Sequence, residues 1–284
     1  LEERNALFLA HAPEIGANAA RGALRHAGWR AEEVDVLVVA TSTGFAVPTL
    51  DHHLSARLGL RTDARSLCLT GLGCAGALRG IALAADLLRA EVARRALVVG
   101  VELCSPWLQV AEPSPEDVAS NLLFGDGAGA VALESDRDGG ALEVLAWDSQ
   151  LWPDSATARG ATLTQSGFRH FASPALPRLV LRMLPRTVDA FLASRGLSRA
   201  DLRFYVVNPS DHRVLEAIAR ALDVPDALMQ PAWDAWSAHG NTLSAGPLYV
   251  LDALRRSAAP HPGSVGLALV LGPGLTCDLL LLRS

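Results

Sequence analysis

Cys74 is set among glycines in Gly71-Leu72-Gly73-Cys74-Ala75-Gly76, between a short strand-like segment and a long alanine-rich stretch of helical character. Glycines permit a sharp strand-to-helix turn, which would aim the thiol into a cavity. A helix N-terminus there supplies positive potential and free N–H groups, and both favour the nucleophilic thiolate. The chemistry to expect is covalent catalysis by sulfur. The alternative is a small buried cysteine packed under the helix. Two polar loops could complete such a site. In His239-Gly240-Asn241-Thr242-Leu243-Ser244-Ala245 the Asn241 amide can donate to an acyl oxygen, or simply cap the helix that follows. Asn208-Pro209-Ser210-Asp211 follows an apolar run and precedes another helix, as an oxygen-binding loop or as a plain cap and turn.

Composition removes several competing chemistries. Of the 284 residues, 25 are Lys or Arg and 30 are Asp or Glu, for a net charge of −5. Every one of the basic residues is arginine. Without lysine there is no P-loop, no Schiff base and no Ser-Lys pair. Scattered arginines on an acidic chain argue against nucleic acid as a partner. Cys68, Cys74, Cys104 and Cys277 form no CxxC pair, which argues against a zinc site and against a disulfide framework. The longest apolar runs, such as Val265 to Leu271, are far too short to cross a membrane, so a soluble cytoplasmic protein is expected.

The elements that must position these loops read as α/β. Half the residues are hydrophobic, enough for a large packed core. Helical spacing over residues 6–28 ends at Gly28, and continuous apolar runs at 34–40 and 96–101 read as buried parallel strands. A short helix at 50–60, a short strand at 66–69, a helix at 75–93 and a strand at 128–134 complete the first half. The second half repeats the plan loosely, with helices at 177–195, 213–222 and 243–255 and strands at 204–207, 265–271 and 277–282. A polar turn cluster divides the chain into halves 1–138 and 139–284. Three polar loops at strand-to-helix junctions can converge at one end of a sheet, where α/β sites lie.

Several segments, in order, resemble the type III polyketide synthases, the chalcone synthase-like branch of the thiolase superfamily. They are Thr43-Gly44-Phe45 leading to Pro48-Thr49-Leu50-Asp51, Gly71 to Ala77, Val101-Glu102-Leu103-Cys104-Ser105, Leu123-Phe124-Gly125-Asp126-Gly127-Ala128, Gly240-Asn241 with Ser244-Ala245, and Gly272-Pro273-Gly274-Leu275-Thr276. The resemblance implies a thiolase-like layered αβαβα fold of two similar halves, with the first strand and helix of the family fold preceding Leu1. It also implies a homodimeric enzyme that loads an acyl group from acyl-CoA onto cysteine and extends it with malonyl-CoA by decarboxylative condensation. CoA thioesters are then substrates, and no metal or redox cofactor is called for.

Residue by residue, Cys74 falls on the family's acyl-carrying cysteine and Asn241 on its catalytic asparagine. Phe124 matches a phenylalanine lining the passage between CoA tunnel and cavity, with core packing as the alternative. Val47 falls where the family sends a residue into the partner's cavity. His170 is a candidate lining residue near a second gatekeeper, or an exposed loop histidine. The family's His-Pro-Gly-Gly is here Asn208-Pro209-Ser210-Asp211, so its catalytic histidine is Asn208. An asparagine amide can donate to a thioester oxygen but cannot pair with a thiolate as a cation. A slow or reprogrammed condensing enzyme is therefore expected. The alternatives are a superfamily acyltransferase or priming ketoacyl synthase that acylates Cys74 without extension, and an inactive dimer partner. His212, His239 and His170 are the histidines available to compensate, His212 otherwise a solvated face and His239 otherwise a wall residue. Arg21, Arg25 and Arg30 are candidates for the CoA phosphates, or ordinary solvated arginines.

Overall fold

The computed structural model describes residues 1–135, 142–257 and 260–284. The expected boundary between Asp138 and Gly139 lies outside the described residues.

Helix α1 (Glu2–Ala27) is built as its sequence dictates. Glu2 and Glu3 sit at its positive end, Arg25 and His26 at its negative end, and Gly28 closes it at φ 70°. Phe8, Ala12, Ala17, Ala20 and Leu24 form its buried stripe. That stripe covers a sheet of β1 (Val36–Thr41), β2 (Arg65–Thr70), β3 (Arg95–Glu102) and β4 (Gly127–Glu134), in the order β2-β1-β3-β4. β1 is parallel to both neighbours and wholly buried, which is why its sequence is an unbroken apolar run. β4 returns antiparallel to β3. Helix α2 (Leu50–Leu58) lies beside α1 on the same face.

The second sheet holds β5 (Glu143–Leu151), β8 (Leu202–Val207), β9 (Val265–Gly272) and β10 (Thr276–Arg283), ordered β5-β10-β9-β8. Its β8–β9 pair is parallel and its β9–β10 pair antiparallel, the pattern of β1–β3 and β3–β4. Between the sheets run α3 (Gly76–Arg89), which touches β1, β3 and β10, and α8 (Gly246–Ser257), which touches β4 and β8. Helix α5 (Leu176–Ala193) packs on α6 (His212–Leu222) and on β10 from the other side. Helix, sheet, helix, sheet, helix is the layering expected from the sequence.

Several elements differ from expectation. The helix read over 75–93 is a tight 3-10 turn at Gly73–Ala75 followed by α3, and the helix read over 243–255 is likewise a turn at Leu243–Ala245 followed by α8. Five elements carried no readable signal: β5, α4 (Pro115–Leu123), β6 (Arg159–Thr164) and β7 (Gly167–Ala172), which form a hairpin, and α7 (Asp226–His239). The hairpin is exposed along much of both strands, so apolar alternation is missing. Pro231 lies inside α7 and reads as a breaker.

Candidate active site

β2 ends at Thr70, and the chain reverses into α3 through Gly71 and Gly73, both at positive φ. At Gly73, φ 52°, a side chain would be strained, and its Cβ would press on the Pro273 ring. The Gly73 N–H donates to Ser42 Oγ (2.8 Å). This turn sets Cys74 two residues before α3, with its side chain buried.

Asn241 reaches the thiol from the second half. Its backbone N–H donates to the Leu123 carbonyl (2.9 Å), and its own carbonyl accepts from Gly125 N–H (3.1 Å). This bridge ties the Phe124 segment to the Asn241 loop. Asn241 Oδ1 accepts from Leu243 N–H (3.0 Å), which fixes which end of the amide is oxygen. The same oxygen accepts from Cys74 Sγ at 3.7 Å, an arrangement that requires a protonated thiol. The NH2 end of Asn241 is buried without a partner.

Asn208 follows β8 and is held by its N–H on the Leu269 carbonyl (3.2 Å). Asp211, not Asn208, caps α6, accepting from Arg213 and Val214 N–H. Both polar atoms of the Asn208 side chain are buried and unpartnered, and its amide stands near enough to the thiol to favour ionisation. Unpaired buried amide groups are costly, and these two near one sulfur are donors that an oxygen acceptor could satisfy.

Two charged groups to which the sequence assigned no role complete the surroundings. Arg159, at the start of β6, directs Nη2 to Cys74 Sγ at 3.6 Å. It stands 85 residues from Cys74 on an unpatterned strand, so nothing in the sequence distinguishes it from the other arginines. Glu102, at the end of β3, is fully buried and accepts from Ser42 N–H (2.9 Å), Thr43 Oγ1 (2.8 Å) and Ser244 Oγ (2.7 Å). Burial pushes its carboxyl up to about 7 against those donors. A charge closing an apolar strand is a signal that could have found it. Burial also pushes the Cys74 thiol up, with the Arg159 charge the largest influence in the other direction and the Glu102 charge adding to the rise.

Phe124 and His170 come together, ring centroids 4.9 Å apart and edge to face. His170 Nδ1 lies 3.4 Å from Ser120 Oγ, and its Nε2 is buried without a partner. Burial first, and the Arg159 charge second, lower this imidazole to about 4, so it is neutral at pH 7. The other histidines stand elsewhere. His239 is exposed at the end of α7 against Tyr249, and it is not among the groups acting on the thiol. His212 faces Glu216 and Trp233 at the start of α6. Val47 projects from the surface, 81% exposed. Arg21 and Arg30 pair with Glu14 and Glu33, and Arg25 is exposed. Among the described residues, no group of three or more His, Cys, Asp or Glu could hold a metal, and no helix is long and apolar enough to cross a membrane.

Known proteins match this chain over nearly its whole length. The family model for the N-terminal domain of chalcone and stilbene synthases matches residues 1–137, and that for their C-terminal domain residues 143–284. A 1,3,6,8-tetrahydroxynaphthalene synthase of Streptomyces peucetius subsp. caesius is 34% identical over 285 residues, covering 99% of this chain and 75% of the relative. An alpha-pyrone synthesis polyketide synthase-like protein of Mycobacterium tuberculosis is 29% identical, covering 98% and 72%. The crystal structure of 1,3,6,8-tetrahydroxynaphthalene synthase from Streptomyces coelicolor A3(2), a bacterial type III polyketide synthase, superposes with a TM-score of 0.94 at 26% identity over 99% of this chain and 80% of that one. With both domain models matched and the layered fold shared, the chain belongs to the chalcone and stilbene synthase family and is a type III polyketide synthase-like condensing enzyme.

Proposed function

We propose that the protein transfers an acyl group from a CoA thioester to Cys74 Sγ and extends it with malonyl-CoA. One observation carries this reading: two asparagines, Asn208 and Asn241, stand near the buried Cys74 thiol, and the NH2 group of each is buried and unspent. A thioester oxygen entering beside the sulfur would satisfy both donors. Oxyanion donors of this kind are worth roughly 3–4 kcal/mol each in acyl transfer. Thiolate attack on the acyl-CoA carbonyl breaks its C–S bond and releases CoA. Malonyl-CoA then loses CO2, its enolate carbon attacks the acyl-cysteine carbonyl, and Cys74 leaves as thiolate. Phe124 and His170, edge to face, suit a wall of the acyl passage. Exposed Val47 and Phe45, 81% and 74%, support a homodimer in which this loop meets a second copy. Four free cysteines and CoA-ester substrates fit the cytoplasm.

Incubation with an acyl-CoA and labelled malonyl-CoA should release CO2 and give an extended product. Mass spectrometry should find the acyl group on Cys74, and Cys74→Ala should abolish both signals. Neutral Asn208 in the histidine position favours one second reading, acylation and transfer without extension. It would give the Cys74 adduct and its transfer to a second acceptor, with no CO2 released.

A further inference from the structure

We propose that Arg159 supplies the fixed positive charge that stabilises the Cys74 thiolate, as a catalytic residue of this site, in place of the imidazolium that Asn208 cannot provide. The inference rests on Cys74 being the acyl carrier. A guanidinium is charged at every working pH, and a buried cation without a counter-charge costs several kcal/mol. Arg159 is only 6% exposed. Arg79, which is less buried than Arg159, shows the ordinary solution, with Asp278 at 2.7 Å. Among the described residues Arg159 has no carboxylate within ion-pairing distance, and the one side-chain partner of its guanidinium is Cys74 Sγ. The missing counter-charge is what an ionised Cys74 would be.

The backbone holds Arg159 at the sulfur. Its carbonyl accepts from Gly274 N–H (2.9 Å), on the turn that also presses Pro273 against Gly73, and Arg159 pairs with Ala172 across the hairpin. The other groups facing the sulfur are Asn208 and Asn241, which are neutral, while His170 is neutral at pH 7 and Glu102 opposes ionisation. The charge therefore comes from Arg159.

An arginine differs from a histidine in one respect: it cannot take the proton. On ionisation the Sγ–H proton goes to solvent, the thiolate attacks the thioester carbonyl carbon, and the departing CoA thiolate takes a proton from solvent. In the condensation the negative charge of the malonyl carboxylate, released as CO2, ends on Cys74 as it leaves, and Arg159 again faces that charge. The dependence on pH is then a rise as the thiol ionises, opposed by Glu102 as its carboxyl loses its proton about pH 7, and without the lower limb that a titrating histidine would add.

The test is the rate of Cys74 alkylation by iodoacetamide from pH 6 to 10, read at that residue by mass spectrometry, with Cys74→Ala as the blank. An opposite charge at this distance shifts a pKa by about 1–3 units, so Arg159→Met should slow alkylation at pH 8 at least about tenfold and move the profile up in pH. Arg159→Lys should recover part of the loss, and Arg159→Met with Asn208→His should recover reactivity and introduce an inflection near the histidine pKa. Unchanged alkylation in Arg159→Met would overturn the assignment. If that variant does not fold, Arg159→Gln decides: a slower profile moved up in pH supports the charge role, and one coinciding with wild type in both rate and midpoint refutes it. Acyl transfer from acyl-CoA to wild-type Cys74 is scored separately, so failure of the acyl-carrier reading is distinguishable from failure of the arginine assignment.

Discussion

At Cys74, burial raises the thiol pKa while Arg159 lowers it, and Asn241 Oδ1 accepts the S–H. The resting state is a thiol whose reactivity must be drawn out by its surroundings. His170 sits in the same field but titrates the opposite way. Its folded value of about 4 lies below the ordinary 6.5, so the unfolded chain binds this proton first as pH falls. Stability from this residue is present above about pH 6.5 and is lost as pH drops toward 4, on the order of 3 kcal/mol in all. His170→Phe should flatten that loss in thermal melts recorded between pH 4 and 7. Comparing variant with wild type isolates the effect from Glu102, whose carboxyl, raised to about 7, lowers stability as pH rises from about 4.5 to 7.

At the level of elements, the site depends on two loops from different halves being stitched together. The Phe124–Asn241 bridge is one stitch, and Gly125 makes it possible because an added Cβ would collide with the His239 carbonyl oxygen. Backbone cannot yield there as a flexible side chain would. Gly125→Ala should cost about 1–3 kcal/mol in urea unfolding and displace Asn241, reducing Cys74 acylation more than it reduces the folded fraction. Neither outcome is expected of alanine at Gly22, where no atom stands within 4 Å of an added Cβ.

Across the whole molecule, α3 joins the halves. Cys74 stands two residues before its start, and its Arg79 reaches across to β10, where Asp278 is held by Nε at 2.7 Å and Nη2 at 3.3 Å. Arg79 also donates to Ser149 Oγ on β5 (3.0 Å). Breaking a buried pair leaves an uncompensated charge, so Asp278→Asn should destabilise by roughly 2–3 kcal/mol, less than for a dry pair because Arg79 is partly exposed. Chemical denaturation of Asp278→Asn, Arg79→Met and the double variant would measure the coupling, which should be positive.

Local patterning made much of this legible beforehand. The unbroken apolar runs of β1, β3 and β9 announced buried strands, Gly28 announced a helix end, and the glycines around Cys74 announced its turn, because each is a constraint on neighbouring residues alone. The order of motifs announced the family, which both domain models bear out. What surrounds the sulfur was decided only by tertiary structure. Arg159 lies on an exposed hairpin with no periodicity, and its charge matters because the turn at Gly274 brings that strand to Cys74. His239, adjacent in sequence to the Asn241 loop, is carried away by the end of α7. Electrostatic neighbours are set by distance in space, and a sequence records only distance along the chain.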